Sequence, residues 1–387
     1  MKDVAIVGIG ITKFGEHWDK GIKELAVESG VKAVEDAGIS GEEIELIVGG
    51  NMSGGLFTGQ EHIGAMLADA LGLNPIPAIR TEAACASGSL ALRVGYLAIA
   101  SGRYECVAVG GVEKMTDLTT GQVTATLAGA MDRENEAYFG LTFPGVFALM
   151  ARRHMYEFKT KQEQLAMIAV KNHRNGAKNE IAHFRNEITV EDVLNSPLVA
   201  DPLHLLDCSP ISDGAATVIL VPAERAKKYT DTPIYIKAST QASDTLALFD
   251  RASLTRIDAT INAVRKAYKQ AKITAKDVNV AEVHDCFTIA ELIAYEDLGF
   301  CKKGEGGKLI ENGETEIGGK IPVNTSGGLK AKGHPVGATG IAQIVELVKQ
   351  LRNEAGKRQV SNATIGLAHN IGGSGATVCI HILSNKR

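Results

Sequence analysis

The chain has 387 residues, with 41 basic against 45 acidic side chains, a net charge of −4 and 45% apolar residues. That length suggests two core-bearing units rather than one small domain. The near-neutral balance argues against a nucleic-acid binder, which carries a strong basic excess, and no apolar stretch is long enough to span a bilayer.

In chain order, Met1-Lys2-Asp3-Val4-Ala5-Ile6-Val7 runs straight into a strand and lacks the apolar core of a signal peptide. Gly8-Ile9-Gly10 resembles a dinucleotide fingerprint, but Gly15 lies too far on, and NAD binding is rejected. An amphipathic helix then ends at Ala33-Val34-Glu35-Asp36-Ala37-Gly38-Ile39-Ser40, and Ile44 and Leu46 open a strand. The same pattern recurs at an offset of 234, as Ala267-Tyr268-Lys269-Gln270-Ala271-Lys272-Ile273-Thr274 followed by Val278 and Val280. Strands at Val4–Val7 and Ile234–Lys237 precede the two copies. Duplication of one α/β unit predicts two similar sheets packed around shared helices.

Next comes Arg80-Thr81-Glu82-Ala83-Ala84-Cys85-Ala86-Ser87-Gly88, followed by the helix-forming run Leu90 to Ala98. This places a thiol at a helix N-terminus, where free N–H groups and the macrodipole favour thiolate and predict a lowered thiol pKa. Small neighbours leave room for a substrate. The competing reading is a buried, inert cysteine.

The ends of the copies also match. Asn370-Ile371-Gly372-Gly373-Ser374-Gly375-Ala376-Thr377-Val378 is continuous, whereas its pieces in the first copy, Val109-Gly110-Gly111-Val112-Glu113 and Asp213-Gly214-Ala215-Ala216-Thr217-Val218, are far apart. The expected organisation is therefore an N-terminal half over 1–228 with an insertion at about 114–212, and a C-terminal half over 229–387. Within the insertion, residues 150–185 carry Arg152, Arg153, Lys159, Lys161, Lys171, Arg174, Lys178 and Arg185 against Glu157, Glu163 and Glu180. Such an excess could form an electropositive wall for a phosphorylated ligand; a solvated helix face is the plainer reading.

In the second copy, Val283-His284-Asp285-Cys286-Phe287 ends a strand where Gly50-Asn51-Met52 ends one in the first. Strand ends are where α/β proteins place chemistry, which makes His284 and Cys286 acid/base candidates. His334 lies between Gly333 and Pro335 in a glycine-rich loop, in backbone that cannot be regular helix or central strand. It can act as a general base or an oxyanion donor. Gly366-Leu367-Ala368-His369-Asn370-Ile371-Gly372-Gly373 ends a strand in a turn whose N–H groups could bind an oxyanion. The six cysteines, at 85, 106, 208, 286, 301 and 379, show no CxxC and no metal-like spacing, and read as thiols of a reducing compartment. No metal site is expected.

Together, the Cys85 helix start, Ser212-Asp213-Gly214-Ala215-Ala216, Gly333-His334-Pro335 and the terminal glycine turn resemble the thiolase family over the whole chain. His284-Asp285-Cys286-Phe287 and His369-Asn370-Ile371-Gly372 are similar to its sterol-carrier-protein-type and archaeal branch. The usual biosynthetic member has Asn-Glu-Ala-Phe and Cys-Ile-Gly there, so Asn370 stands where an acid/base cysteine is kept.

The resemblance implies a thiolase fold, a duplicated five-layer α-β-α-β-α architecture with an inserted loop domain. It implies coenzyme A thioesters as substrates, no further cofactor, and a homodimer or homotetramer. Cys85 would be the acylated nucleophile, His334 its base and Cys286 the acid/base of the second step. Backbone N–H groups of Cys85 and Gly372 would hold one oxyanion, and His334 with a His284-held water the other. Ser209 would lie near the pantetheine arm, with Arg152 and Arg153 candidates for CoA binding.

The implied activity is acetyl-CoA C-acetyltransferase in a cytoplasmic enzyme feeding isoprenoid synthesis by the mevalonate route. Degradative 3-ketoacyl-CoA cleavage, or a non-catalytic lipid-binding or scaffold protein, are the alternatives. A decarboxylating or hydroxymethylglutaryl-type condensing enzyme is disfavoured by Cys286. An OB-fold zinc-ribbon protein and hydroxymethylglutaryl-CoA synthase are possible partners; nucleic acid and membrane are not.

Overall fold

The computed structural model of the chain describes residues 2–387. Its first strand, β1 (Val4–Ile11), is buried along its whole length. Gly8 explains the glycines of this strand without any nucleotide. A Cβ there would lie 2.3 Å from the Ala33 carbonyl of helix α1 (Ile22–Ala37), so the helix can lie this close only on bare backbone.

The first half continues with β2 (Leu46–Gly50), α2 (Gly54–Thr58), α3 (Ile63–Ala70), β3 (Ala78–Thr81), α4 (Ser87–Ala100) and β4 (Val107–Glu113). The chain then leaves the sheet for α5 (Thr120–Ala128), α6 (Phe143–Phe158), α7 (Gln162–Ala177), α8 (Val190–Asn195) and a small hairpin of β5 (Leu198–Ala200) and β6 (Leu203–His204). It returns as β7 (Gly214–Pro222). The second half is β8 (Ile234–Ser243), α9 (Asp258–Ala271), β9 (Val280–Glu282), α10 (Thr288–Asp297), α11 (Gly306–Glu311), α12 (Gly328–Lys332), α13 (Thr339–Arg352), β10 (Ile365–Gly372) and β11 (Thr377–Ser384).

The strand order is β3-β2-β4-β7-β1, then β8-β11-β10-β9. In the first half β2 runs parallel to β4, β4 antiparallel to β7, and β7 antiparallel to β1. The second half repeats these directions with β9, β10, β11 and β8. Even the missing edge strand has a remnant, since Val323 makes one parallel bridge to Ala281 of β9. The halves are linked by two antiparallel pairs, Ala5 with Tyr235 and Ile6 with Ile234.

Three apolar cores give the layering. Ala5, Val7 and Ile47 pack with Leu25 and Ala33 on one outer face. Leu92 and Ile99 of α4 pack with Ile341, Ile344 and Val348 of α13 between the two halves of what is one continuous nine-stranded sheet, joined at β1 and β8, rather than the two separate sheets expected. Val264, Ile289 and Ile293 cover the other outer face. The result is the α-β-α-β-α arrangement. The starts of α4 and α13 meet at its centre: a Cβ on Gly88 would lie 2.6 Å from Gly337 O, and one on Gly340 2.3 Å from Ser89 N. The loops preceding these two helices carry Cys85 and His334. Among the described residues, no helix is long and apolar enough to cross a membrane.

Candidate active site

Local bonding fixes each chemistry-bearing loop. Ala84 is held in the left-handed region at φ 49, a conformation that costs a non-glycine residue about 1–2 kcal/mol. Ser87 secures that turn: its Oγ accepts from Ala83 N at 3.0 Å and donates to Ala84 O at 2.6 Å. Cys85 follows immediately, two residues before the first turn of α4. His334 follows Gly333, whose φ of 109 only glycine adopts readily. Its backbone N–H donates to Ser212 Oγ at 3.4 Å. The loop after it is anchored where Gly337 N donates to the Glu113 carboxylate at 3.1 Å. His284 and Cys286 leave the end of β9, and Phe287 stacks on Phe147 of α6 with ring centroids 4.8 Å apart.

These segments converge. The Cys85 sulfur and one ring nitrogen each of His284 and His334 lie within 4.8 Å of one another, all in buried residues. The two rings meet edge to face with centroids 5.1 Å apart. Both Nδ1 atoms are engaged: His334 Nδ1 lies 2.6 Å from Thr339 Oγ1, and His284 Nδ1 lies 2.9 Å from Asn370 Nδ2. Both Nε2 atoms are buried and have no protein partner. Buried polar atoms are nearly always paired; here two imidazole nitrogens beside a thiol are free to meet a reacting group. The same N,N,S donor set could hold a soft metal ion. It is assembled from three distant segments, which is why cysteine spacing gave no sign of it.

Burial sets the protonation states. It pushes the Cys85 thiol up to about 12, against the opposing pull of the Gly373 and Cys85 N–H groups. This corrects the expectation of a lowered thiol pKa. A helix start offers only partial charges, and full desolvation of a thiolate outweighs them. Cys286 is pushed well above the ordinary thiol range, first by burial and then by Cys85 and Asp285. Burial and Lys332 hold His334 down at about 3. Burial, His334 and His369 hold His284 well below its usual value. The resting site is therefore two neutral thiols and two neutral imidazoles, so Cys85 ionises only by handing its proton to a neighbour.

The structure brings Cys85, His284, His334 and Cys286 together, and Cys286 O accepts from Ser209 N at 2.9 Å. Gly372 ends β10 against the Cys85 turn, where a Cβ would lie 2.3 Å from Ala83 O. The N–H facing the sulfur belongs to the next residue, Gly373, which the sequence reading did not single out. Thr339 and Glu113 were also missed. Neither lies in a recognisable motif role, and only the fold shows what they hold. A cavity of about 260 Å³ opens beside the turn, lined among others by Glu82, Ala84, Ala130, Met131, Leu246 and Gly373.

Arg152 and Arg153 stand apart from this cluster in character. Both are exposed on α6; Arg152 pairs with Asp201, and Arg153 Nε lies 2.6 Å from Glu157 Oε1. Lys171, part of the same basic run, is fully buried and paired with Glu291.

Comparison with known proteins gives a consistent picture. Family models described as "Thiolase, N-terminal domain" and "Thiolase C-terminal domain-like" match residues 4–224 and 240–385. An acetyl-CoA acetyltransferase of Methanothermobacter thermautotrophicus is 59% identical, over 99% of this chain and 100% of its own length. Human sterol carrier protein 2 is 37% identical, over 98% of this chain and 71% of its own length. Among solved structures, an Ltp2-ChsH2(DUF35) aldolase superposes with a TM-score of 0.87 at 26% identity, covering 100% of this chain and 98% of that one. Human mitochondrial 3-ketoacyl-CoA thiolase in complex with CoA superposes at 0.76 and 19% identity, covering 99% and 98%.

Proposed function

The chain belongs to the thiolase family, and from that premise we propose that it is an acetyl-CoA C-acetyltransferase, condensing two acetyl-CoA into acetoacetyl-CoA and CoA. The observation that carries the reading is the convergence of Cys85, His334 and His284 in one buried cluster with two unpartnered Nε2 atoms, with Cys286 near enough for its thiol to feel that of Cys85. The relatives named acetyl-CoA acetyltransferase, matched over nearly the full length of both chains, support the substrate.

The neutral resting state dictates the proton path. Cys85 gives its proton to His334 Nε2 as its sulfur attacks the thioester carbon. The N–H groups of Cys85 and Gly373, the two that face the sulfur, hold the resulting oxyanion. The C–S bond to CoA breaks, and the departing thiolate takes the proton of Cys286, leaving acetyl-Cys85, an imidazolium at His334 and a thiolate at Cys286. A second acetyl-CoA binds with its thioester oxygen towards His334 and His284. Cys286 removes the α-proton, and the carbanion attacks the acetyl carbon. Cys85 leaves as thiolate and recovers its proton from His334. Every protein group ends in the protonation state it began with: the Cys286 proton leaves on CoA and the α-proton of the second substrate replaces it. The chemistry needs two thiols in different roles and invokes no metal or redox group.

In this reading the halves are 1–228 and 229–387, and the insertion at about 114–212 holds CoA with Ser209 beside the pantetheine arm. The protein acts in the cytoplasm as a homodimer or homotetramer, at the first step of the mevalonate route. An OB-fold zinc-ribbon protein and hydroxymethylglutaryl-CoA synthase are its proposed partners. Incubation with acetyl-CoA should produce acetoacetyl-CoA in a coupled assay and leave an acetyl group on Cys85 in peptide mass spectra. Cleavage confined to long-chain 3-ketoacyl-CoA would favour the degradative reading, and absence of label on Cys85 would defeat both.

A further inference from the structure

The mechanism asks opposite things of two chemically identical rings. His334 must begin with a bare Nε2 that can accept the Cys85 proton. His284 must begin with a proton on Nε2 that can be donated to an oxygen. Neutral imidazole exists in two tautomers, and the hydrogen bond at one nitrogen decides which nitrogen carries the proton.

At His334 the partner is an acceptor. The Thr339 hydroxyl donates its own proton to Pro335 O at 3.0 Å, so its oxygen is left to accept from His334 Nδ1 at 2.6 Å. The proton is on Nδ1, and Nε2 is bare. At His284 the partner is a donor. An amide nitrogen can only donate, and Asn370 Nδ2 lies 2.9 Å from His284 Nδ1. With the amide turned this way that nitrogen is the acceptor and the proton is on Nε2, which is buried without a protein partner. Both Asn370 and His284 are fully buried, so water does not compete for this bond. Asn370 is packed in place: a Cβ on Gly340 would lie 2.6 Å from its Oδ1.

We propose that Asn370 is a positioning residue that locks His284 in the Nε2–H tautomer, while Thr339 locks His334 in the opposite one, and that this pairing divides the base role from the oxyanion-donor role. The inference rests on the functional reading above. It gives Asn370 work of its own, beyond filling the place of a missing cysteine.

The test combines a spectroscopic and a kinetic arm on the full-length protein. Histidine-ring 15N spectra of the wild type, with the His284 signals identified by their loss in His284→Gln, report the tautomer directly and need no activity. The expected pattern is a protonated Nε2 and bare Nδ1 at His284, with the reverse at His334. A protonated Nδ1 at His284 overturns the proposal.

Asn370→Asp is nearly isosteric but offers only acceptors, so it should draw the proton to Nδ1. Its condensation rate should fall by about 10²–10³-fold, the usual loss on removing one oxyanion donor. The deficit relative to wild type should grow as pH rises from 6 to 9, because the new carboxylate raises the ring's affinity for a second proton, and at lower pH a doubly protonated ring restores the Nε2–H. The groups facing His284 are the imidazoles of His334 and His369 and the thiols of Cys85 and Cys286; the carboxyls of Asp285 and Glu113 stand nearby. All of these are shared with the wild type and cancel in the ratio, which leaves the introduced carboxyl as the one added titrating group; protonated at low pH, it donates to Nδ1 as the amide did and shrinks the deficit in the same direction. A deficit that does not change with pH, or none, means that Asn370 only fills space and overturns the proposal. A wild type that forms no acetoacetyl-CoA would instead defeat the functional reading, with the ring spectra still deciding the tautomers.

Discussion

The parallel strand pairs β2/β4 and β9/β10 occupy equivalent places in the two halves, and each ends in a polar side-chain pair. In the first half Asn51 Nδ2 donates to Glu113 at 2.8 Å, and that carboxyl also accepts from Met52 N, Ser53 N and Gly337 N. Burial lifts Glu113 to about 7, and four donors surround it. In the second half Asn370 meets His284, and an imidazole nitrogen and an amide oxygen are left unpaired. An unsatisfied buried polar group costs about 1–3 kcal/mol. One scaffold thus closes its strand ends with structure in one copy and leaves them open for chemistry in the other. The turn between β10 and β11 is four residues, while the matching link between β4 and β7 holds the whole of α5–α8. Each half gives up something different to the shared site.

The sharpest way to break this comparison is to remove the thiol that has no counterpart in the first half. Cys286→Ala should still be acetylated at Cys85, because His334 can return its proton to departing CoA. It should lose α-proton exchange and carbon–carbon bond formation by about 10²–10⁴-fold, the usual loss for a general acid/base. Peptide mass spectra and deuterium exchange of acetyl-CoA separate the two steps. Condensation near the wild-type rate would move the base to His369 or His284.

A second substitution imports the first half's residue into the second. His284→Asn places at β9 what stands at the end of β2. Acetylation of Cys85 should persist, while condensation should fall by at most about 10²-fold, the lower end of the loss for one oxyanion donor, because the shorter amide still offers an N–H. Equal losses in both half-reactions would show that His284 serves Cys85 rather than the second substrate.

The third test is thermodynamic. The strands of the first-half sheet contain no histidine, whereas β10 and β11 carry His369 and His381, both held by burial at about 3. With a folded value below the ordinary 6.5, each contributes its full stability above pH 6.5 and loses it as pH falls towards 3. At pH 5 each neutral, buried ring costs about 2 kcal/mol, at 1.36 kcal/mol per pH unit. His369→Gln can keep the Thr260 hydrogen bond and should shrink the loss of unfolding free energy between pH 7 and pH 5 by about that amount in urea melts. An unchanged pH dependence would mean that the ring is protonated in the folded state.

What the sequence disclosed follows the same division. The duplication was legible because Ala37 with Ala271 and Ile39 with Ile273 keep register in elements that depend on local periodicity. Cys85, His334, His284 and Cys286 could be marked as candidates because each sits in a short motif at a strand or helix end, while the meeting of Cys85 with His284 and His334 shows only in the fold. Thr339 was not, since its role depends on where its hydroxyl proton goes. Gly373 was not, since nothing in a row of glycines says which N–H reaches a sulfur over 280 residues away in the chain. The direction of the Cys85 shift was misjudged for a related reason. The helix start can be read locally, but the burial that overrides it comes from the second half folding over the first.

The insertion offers the smallest expected effect. Arg152 and Arg153 have side chains 57% and 52% exposed and already face Asp201 and Glu157. An exposed ion pair contributes about 0–1 kcal/mol, and free charges are screened over about 8 Å at physiological salt. Reversing both, as Arg152→Glu with Arg153→Glu, should therefore raise the apparent KM for acetyl-CoA by less than about five-fold and leave kcat unchanged. The rise should fade when salt is added. A KM increase beyond tenfold that survives high salt would mean that these guanidinium groups leave Asp201 and Glu157 to grip the CoA phosphates directly. The insertion would then bind by specific contact. A small, salt-sensitive change would confine it to a general electrostatic field, with the binding contacts falling to the segment around Ser209, whose N–H is already tied to the Cys286 carbonyl.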